Sequence, residues 1–167
     1  MRRFFILMTA LLTLFWAPLS AQTSNVTSTP VVKIINFTAE WCPNCQVLNP
    51  AIQDALRSFP EGEIEVVNLD MTFAGRGSSE QQRLAVYSDA IRLADSHQSA
   101  YLWDWYGGVT GLAAIVSADN GEPISCINRI LDADAIAGRL REAQIISKRR
   151  APGTRMPQGP DCPPPLR

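Results

Sequence analysis

A chain of 167 residues, 46% of them hydrophobic and 19% charged, can bury one modest core and needs no second domain. Its formal charge of −1 gives no basic surface of the kind that nucleic acid demands, so no nucleic-acid partner is expected. Four cysteines stand against one histidine, His97, which leaves a closed structural zinc site short of ligands, and no metal or other cofactor is expected.

Residues 1–21 carry two arginines, then an apolar run from Phe4 to Trp16, then Pro18 and the small residues Ser20 and Ala21, which is the pattern of a cleavable signal peptide. The apolar run falls short of the roughly 20 residues that span a bilayer. Export to the periplasm or beyond is therefore expected, with no membrane span after cleavage and an uncleaved anchor as the alternative. Export places the cysteines in an oxidising environment, where they pair or do redox chemistry. Residues 22–30 are polar and rich in Ser and Thr, a flexible lead-in. The charge is uneven. Residues 30–146 hold 8 basic and 15 acidic residues, whereas residues 147–167 hold 5 basic and 1 acidic.

The folded part is expected over residues 31–146. VVKIINF is a short β-branched run that predicts a buried strand. Leu48, Ala51, Ile52, Ala55, Leu56 and Phe59 recur at helical spacing after it, and Pro50 inside that run should bend the helix without ending it. IEVVNLD predicts a second strand, parallel to the first through a right-handed crossover. From about residue 71 to 107 the pattern is that of an insertion: a Gly-rich loop, a helix over 79–96 with Leu84, Tyr87, Ala90, Ile91 and Ala94 on one side, and the aromatic run YLWDWY. Tyr101, Trp103, Trp105 and Tyr106 are expected mainly as core, with partner recognition as the alternative, and His97 as a solvated or capping residue. LAAIVSA and PISCINRI flank the turn sequence DNGE and predict an antiparallel hairpin. Asp132 is placed to cap a last helix carrying Ile136, Leu140, Ala143 and Ile145 or Ile146. Residues 147–167 hold six of the twelve prolines and no apolar period, which predicts a disordered basic tail.

FTAEWCPNC at the end of a strand and the start of an amphipathic helix, with Trp41 before the pair and Pro50 five residues after it, resembles the thioredoxin superfamily, most closely its periplasmic thiol-disulfide oxidoreductases. GGVTGLAAIVSADNGEP is similar to the family's second hallmark region. The resemblance implies an α/β thioredoxin-like fold, a central mixed sheet flanked by helices, with a helical insertion before the third core strand. It implies a redox-active pair: Cys42 at the helix N-terminus as the attacking thiolate, and Cys45 one turn later as the resolving thiol. Trp41, Pro43, Asn44 and Asn36 are the supporting positions. The implied partners are exported cysteine-containing proteins and a redox-partner dithiol, the chain acting as a monomer and more often as reductant.

Three features depart from the family pattern. Asn36 stands six residues before Cys42, where the family commonly buries an Asp that takes the resolving thiol's proton. An amide cannot, so water, Glu40 or Lys33 is left to do so. Pro43-Asn44 brings no cation to the Cys42 thiolate, and an intermediate potential is expected, with the direction of electron flow open. Ala113 occupies the family's usual cis-proline position, so the Leu112–Ala113 bond is expected to be trans, with the substrate-facing loop of Gly111, Leu112 and Ala113 still approaching Cys42. Cys126 and Cys162 form a second disulfide in one reading. In the other, Cys126 is a small buried hydrophobe and Cys162 is free or paired elsewhere. A non-catalytic adaptor and a soft-metal-binding dithiol are the alternative functions.

Overall fold

A computed structural model describes residues 29–155 and 162–165. The expected signal peptide, nearly all of the lead-in, and residues 156–161 and 166–167 of the tail lie outside the described residues. The order along the chain is β1 (Val32–Thr38), α1 (Pro43–Leu56), β2 (Ile64–Asp70), a 3-10 turn (Thr72–Ala74), α2 (Glu80–Ser96), α3 (Tyr101–Tyr106), β3 (Leu112–Ser117), β4 (Pro123–Asn128) and α4 (Ala133–Arg149). Among these helices none is long and apolar enough to cross a membrane.

The four strands form one mixed sheet in the order β2-β1-β3-β4. β1 and β2 run parallel with Ile35 opposite Val67. β3 lies antiparallel on the other side of β1 with Ala114 opposite Ile35, and β4 antiparallel to β3 with Cys126 opposite Ala114. Because strand side chains alternate, each strand feeds two apolar layers. Val32, Ile34, Ile115 and Ile127 pack with Leu48 and Ile52 of α1 and Ile136 and Leu140 of α4. Ile35, Phe37, Leu69, Ala114 and Val116 pack on the opposite face with Ala90 and Ala94 of α2 and Leu102 and Tyr106 of α3. The mixed α/β fold with helices inserted before the third strand is the one the sequence pattern implies.

α1 runs unbroken past Pro50, which is exposed. α2 begins with a capping box, the Ser79 side chain accepting from Gln82 N–H while the Gln82 side chain accepts from Ser79 N–H. Its expected apolar face is only partly used. Ala90 and Ala94 are buried and Tyr87 half-buried, but Leu84 is 60% and Ile91 37% exposed. The helix meets the sheet along Val86, Ala90, Ala94 and His97, and Leu84 and Ile91 lie about 100° round its axis from that stripe. α4 is capped by Asp132, whose Oδ1 accepts from Ala135 N–H at 2.8 Å. Ile136, Leu140 and Ala143 are buried along it, Ile146 is half-buried and Ile145 is 50% exposed.

The expected disordered tail is corrected over its described residues. α4 continues to Arg149, and Lys148 and Arg149 place positive charge on its last turn. Beyond it, Arg155 is 4% exposed and its guanidinium meets Asp119 and the Arg150 carbonyl. The Glu122 carboxylate accepts from the N–H groups of Gly153 and Arg155 at 2.9 and 2.8 Å. Cys162 is disulfide-bonded to Cys126 on β4, Cα atoms 5.0 Å apart. Proline content argues against a core, but composition says nothing of an acidic hairpin turn folded up to the end of α4.

Candidate active site

The C-terminal ends of β1 and β2 and the start of β3 bring three loops together. Cys42 is the N-cap of α1 (φ −87°, ψ 112°), and its Sγ accepts a hydrogen bond from Cys45 N–H at 3.2 Å. Pro43 fills the first helical position, where a backbone N–H would have no intrahelical partner. Cys45 is one turn on, Cα 5.3 Å from Cys42, and the two sulfurs are bonded. Both residues are buried, and Cys45 Sγ lies 3.9 Å from the Phe37 carbonyl. The free amides of the helix start favour negative charge on the Cys42 sulfur and not on Cys45.

Trp41, 50% exposed, is fixed by its indole N–H donating to the Thr72 carbonyl at 2.7 Å and by Gly75 against the ring. Phe73, on the same turn as Thr72, is 60% exposed, and Val109, in the loop that enters β3, is 53% exposed. Apolar periodicity marks none of Phe73, Val109 and Thr72 in the sequence. Only the aromatic character of Phe73 could have drawn attention, since 31 residues separate Trp41 from Thr72.

The loop before β3 does reach the dithiol, but through Gly111. That residue (φ +81°) donates its N–H to the Phe37 carbonyl at 2.9 Å, and its Cα abuts the Asn44 side chain between the two cysteines. No peptide bond among the described residues is cis, the Leu112–Ala113 bond included. Leu112 packs in the apolar layer that holds Cys42 and Cys45, whereas Ala113 points to the opposite layer and is fully buried. All three residues are buried, so what they turn to the surface is at most backbone.

Asn36 is 2% exposed and its Nδ2 donates to Asn49 Oδ1 and Asn68 Oδ1 at 3.1 and 2.9 Å. Asn49 in turn donates to Thr38 Oγ1 at 2.9 Å. Asn36 Oδ1 has no hydrogen-bond partner among the described residues. These amides floor a cleft of about 590 Å³ beside α1 that also reaches Cys45 and Glu40. Lys33 is elsewhere, on the other face of β1, its Nζ 3.8 Å from Glu65 Oε2 and 3.5 Å from His97 Nδ1. His97, the C-cap of α2, is thereby part of a polar cluster far from the cysteines in the fold.

The aromatic insertion packs on itself and on the sheet. Tyr87 and Trp103 centroids are 5.3 Å apart, Tyr101 and Trp105 4.9 Å in an edge-on contact. Tyr101 O–H donates to the Gly121 carbonyl at 2.8 Å, and burial pushes its phenol up, as it does that of Tyr106. Tyr106 Oη lies 3.7 Å from Cys126 Sγ. Among the described residues no group of three or more His, Cys, Asp or Glu could hold a metal ion.

Residues 19–84 match the thioredoxin family model, a span that holds β1, both cysteines, α1 and β2. Over that span the chain is similar to the thioredoxin family. No curated protein matches it. The match to the thioredoxin family model, together with a CxxC pair at disulfide distance, supports thiol-disulfide redox chemistry, in which a thiolate attacks a disulfide sulfur and a mixed disulfide is resolved by the second thiol.

Proposed function

We propose that this thioredoxin-like chain is an exported, monomeric thiol-disulfide oxidoreductase that exchanges disulfides with cysteines of other exported proteins, mainly as their reductant, and is recharged by a partner dithiol. Residues 1–21 direct it to the periplasm and are removed after Ala21. The observation that carries the reading is the placement of Cys42 at the N-cap of α1 with Cys45 bonded to it one turn later. Only the first sulfur sits where the helix start stabilises a thiolate. The exposed apolar side chains of Trp41, beside Cys42, and of Phe73 and Val109, in the loops that meet Trp41 and Asn44 through Thr72 and Gly111, suit the apolar segments of a polypeptide substrate. Pro43 and Asn44 add no cation to stabilise the reduced form, which argues against a strongly oxidising pair.

Trapping tests the assignment. Cys45→Ser should accumulate mixed disulfides with exported proteins because nothing displaces the captured substrate, and Cys42→Ser should not. Insulin reduction by the purified parent chain should accompany it. Equal trapping by both variants, or a parent chain that leaves insulin intact, overturns the reading.

A further inference from the structure

The proposed exchange leaves one proton without a destination. Resolution needs Cys45 as a thiolate, and its sulfur is buried against the Phe37 carbonyl, which cannot take a proton. Asn36 cannot either, since an amide has no basic site and its Nδ2 is committed to Asn49 and Asn68. Lys33 is held by Glu65 and His97 on the far face of β1. What Cys45 does meet is the polar cleft. Of the groups lining it, α1 contributes amides, and the titratable ones are Cys45, Glu40 and Asp70. Asp70 Oδ1 accepts from both the N–H and the hydroxyl of Thr72, at 2.9 and 2.6 Å, and so fastens the turn under Trp41. Glu40 is the carboxylate left. Its backbone is pinned at the rim, N–H donating to Thr72 Oγ1 at 3.1 Å and carbonyl accepting from Gln46 Nε2 at 3.4 Å.

Resting on the oxidoreductase reading above, we infer that Glu40 is the acceptor of the Cys45 proton, reached through water in the cleft beside α1. In the resolving step the Cys45 proton passes by water to the Glu40 carboxylate, and the Cys45 thiolate attacks Cys42 Sγ of the mixed disulfide. The Cys42–Cys45 bond forms and the bond from Cys42 to the substrate sulfur breaks. The substrate leaves as a thiolate and takes its own proton from solvent. The substrate is reduced by two electrons, and the protein dithiol is oxidised by two. The opposite direction returns the proton from Glu40 to Cys45.

Mixing the chain, its Cys42–Cys45 pair reduced, with one equivalent of Ellman's reagent separates the two steps. One coloured thiolate is released when Cys42 attacks, and a second when Cys45 resolves. Glu40→Gln should slow the second release at neutral pH by about a hundredfold, the low end for loss of a proton-transfer group. The gap should close as the pH approaches the ordinary thiol range, about 8.5. Glu40→Asp should recover most of the rate, and Lys33→Met should leave both releases at the parent rate. A second release with the same pH profile in parent and Glu40→Gln, or equal slowing of both releases, overturns the role of Glu40. Absence of a second release in the parent chain would instead overturn the dithiol reading itself.

Discussion

Gly111 shows how one residue can couple backbone conformation to the redox pair. Its φ of +81° is a region that side chains other than glycine's rarely adopt, and a Cβ there would overlap that of Asn44, which lies between the two cysteines. Gly77, at φ +99°, has open space around it and meets only the conformational cost. Gly111→Ala should therefore destabilise the fold by roughly 1–3 kcal/mol, and by more than Gly77→Ala does. It should also change the rate at which dithiothreitol reduces Cys42–Cys45, as Asn44 is pushed aside. Urea midpoints and reduction kinetics of the two variants check this, and equal effects of the two would show that the loop does not press on the active site. Ala113, by contrast, tolerates its position simply because a trans bond and a small side chain fit the sheet there.

The β3–β4 turn and the segment after α4 form a second organised element, built on charge. Arg155, largely buried, lowers the Asp119 carboxyl chiefly through its hydrogen bond. At Glu122 burial pushes upward, but the N–H groups of Gly153 and Arg155 and the Asn120 amide together hold the carboxyl below its ordinary value. Both folded values lie beneath those of the unfolded chain. Their stabilisation is thus fully present above the ordinary carboxylate range of about 4 and is lost as the pH falls through the lowered folded values. Asp119 is half exposed, so screening limits its pair with Arg155 to about 1 kcal/mol. Acidification should release residues 150–155 before the sheet unfolds, seen as a loss of amide-exchange protection, relative to the intrinsic rate at each pH, at Gly153 and Arg155. Arg155→Met should raise that exchange already at neutral pH. Unchanged exchange in the variant would show that the charge cluster does not hold the segment.

At the scale of the molecule, the Cys126–Cys162 bond ties the third and fourth strands to a segment that has no core of its own. The two residues are 36 apart in sequence, and removing a cross-link of that span should cost about 2–4 kcal/mol. Cys126 and the dithiol share one apolar layer, but β3 separates β4 from β1, placing those strands about 10 Å apart. A disulfide cannot bridge that gap without backbone movement. Cys162→Ser should therefore lower the urea midpoint while leaving the reduction rate of Cys42–Cys45 within about twofold, as independent sites do. Mass mapping of the non-reduced parent should recover Cys126 linked to Cys162, and a free thiol at Cys162 would count against the bond.

Much of this was legible in the residues themselves. WCPNC between a β-branched run and an apolar helical stripe locates the dithiol and its capping geometry, because a helix start is a local event decided within four or five residues. The pairings of β1 with β2 and of β3 with β4 follow from short connections and apolar periodicity for the same reason, whereas the placing of β3 beside β1, across the insertion between Asp70 and Leu112, does not. Other features depended on which surfaces meet. Leu84 and Ile91 share the apolar period of α2 yet face outward, since only the sheet's position chooses the buried stripe. Lys33 and Glu40 were equal candidates along the chain, and the alternation of β1 sends Lys33 to the far face while the β1–α1 turn leaves Glu40 on the cleft. Thr72 under Trp41, Asp119 against Arg155 and Cys126 bonded to Cys162 join residues 31 to 36 apart. Such contacts leave no periodic trace, because packing of the whole sheet and its helices, and no local preference, brings them together.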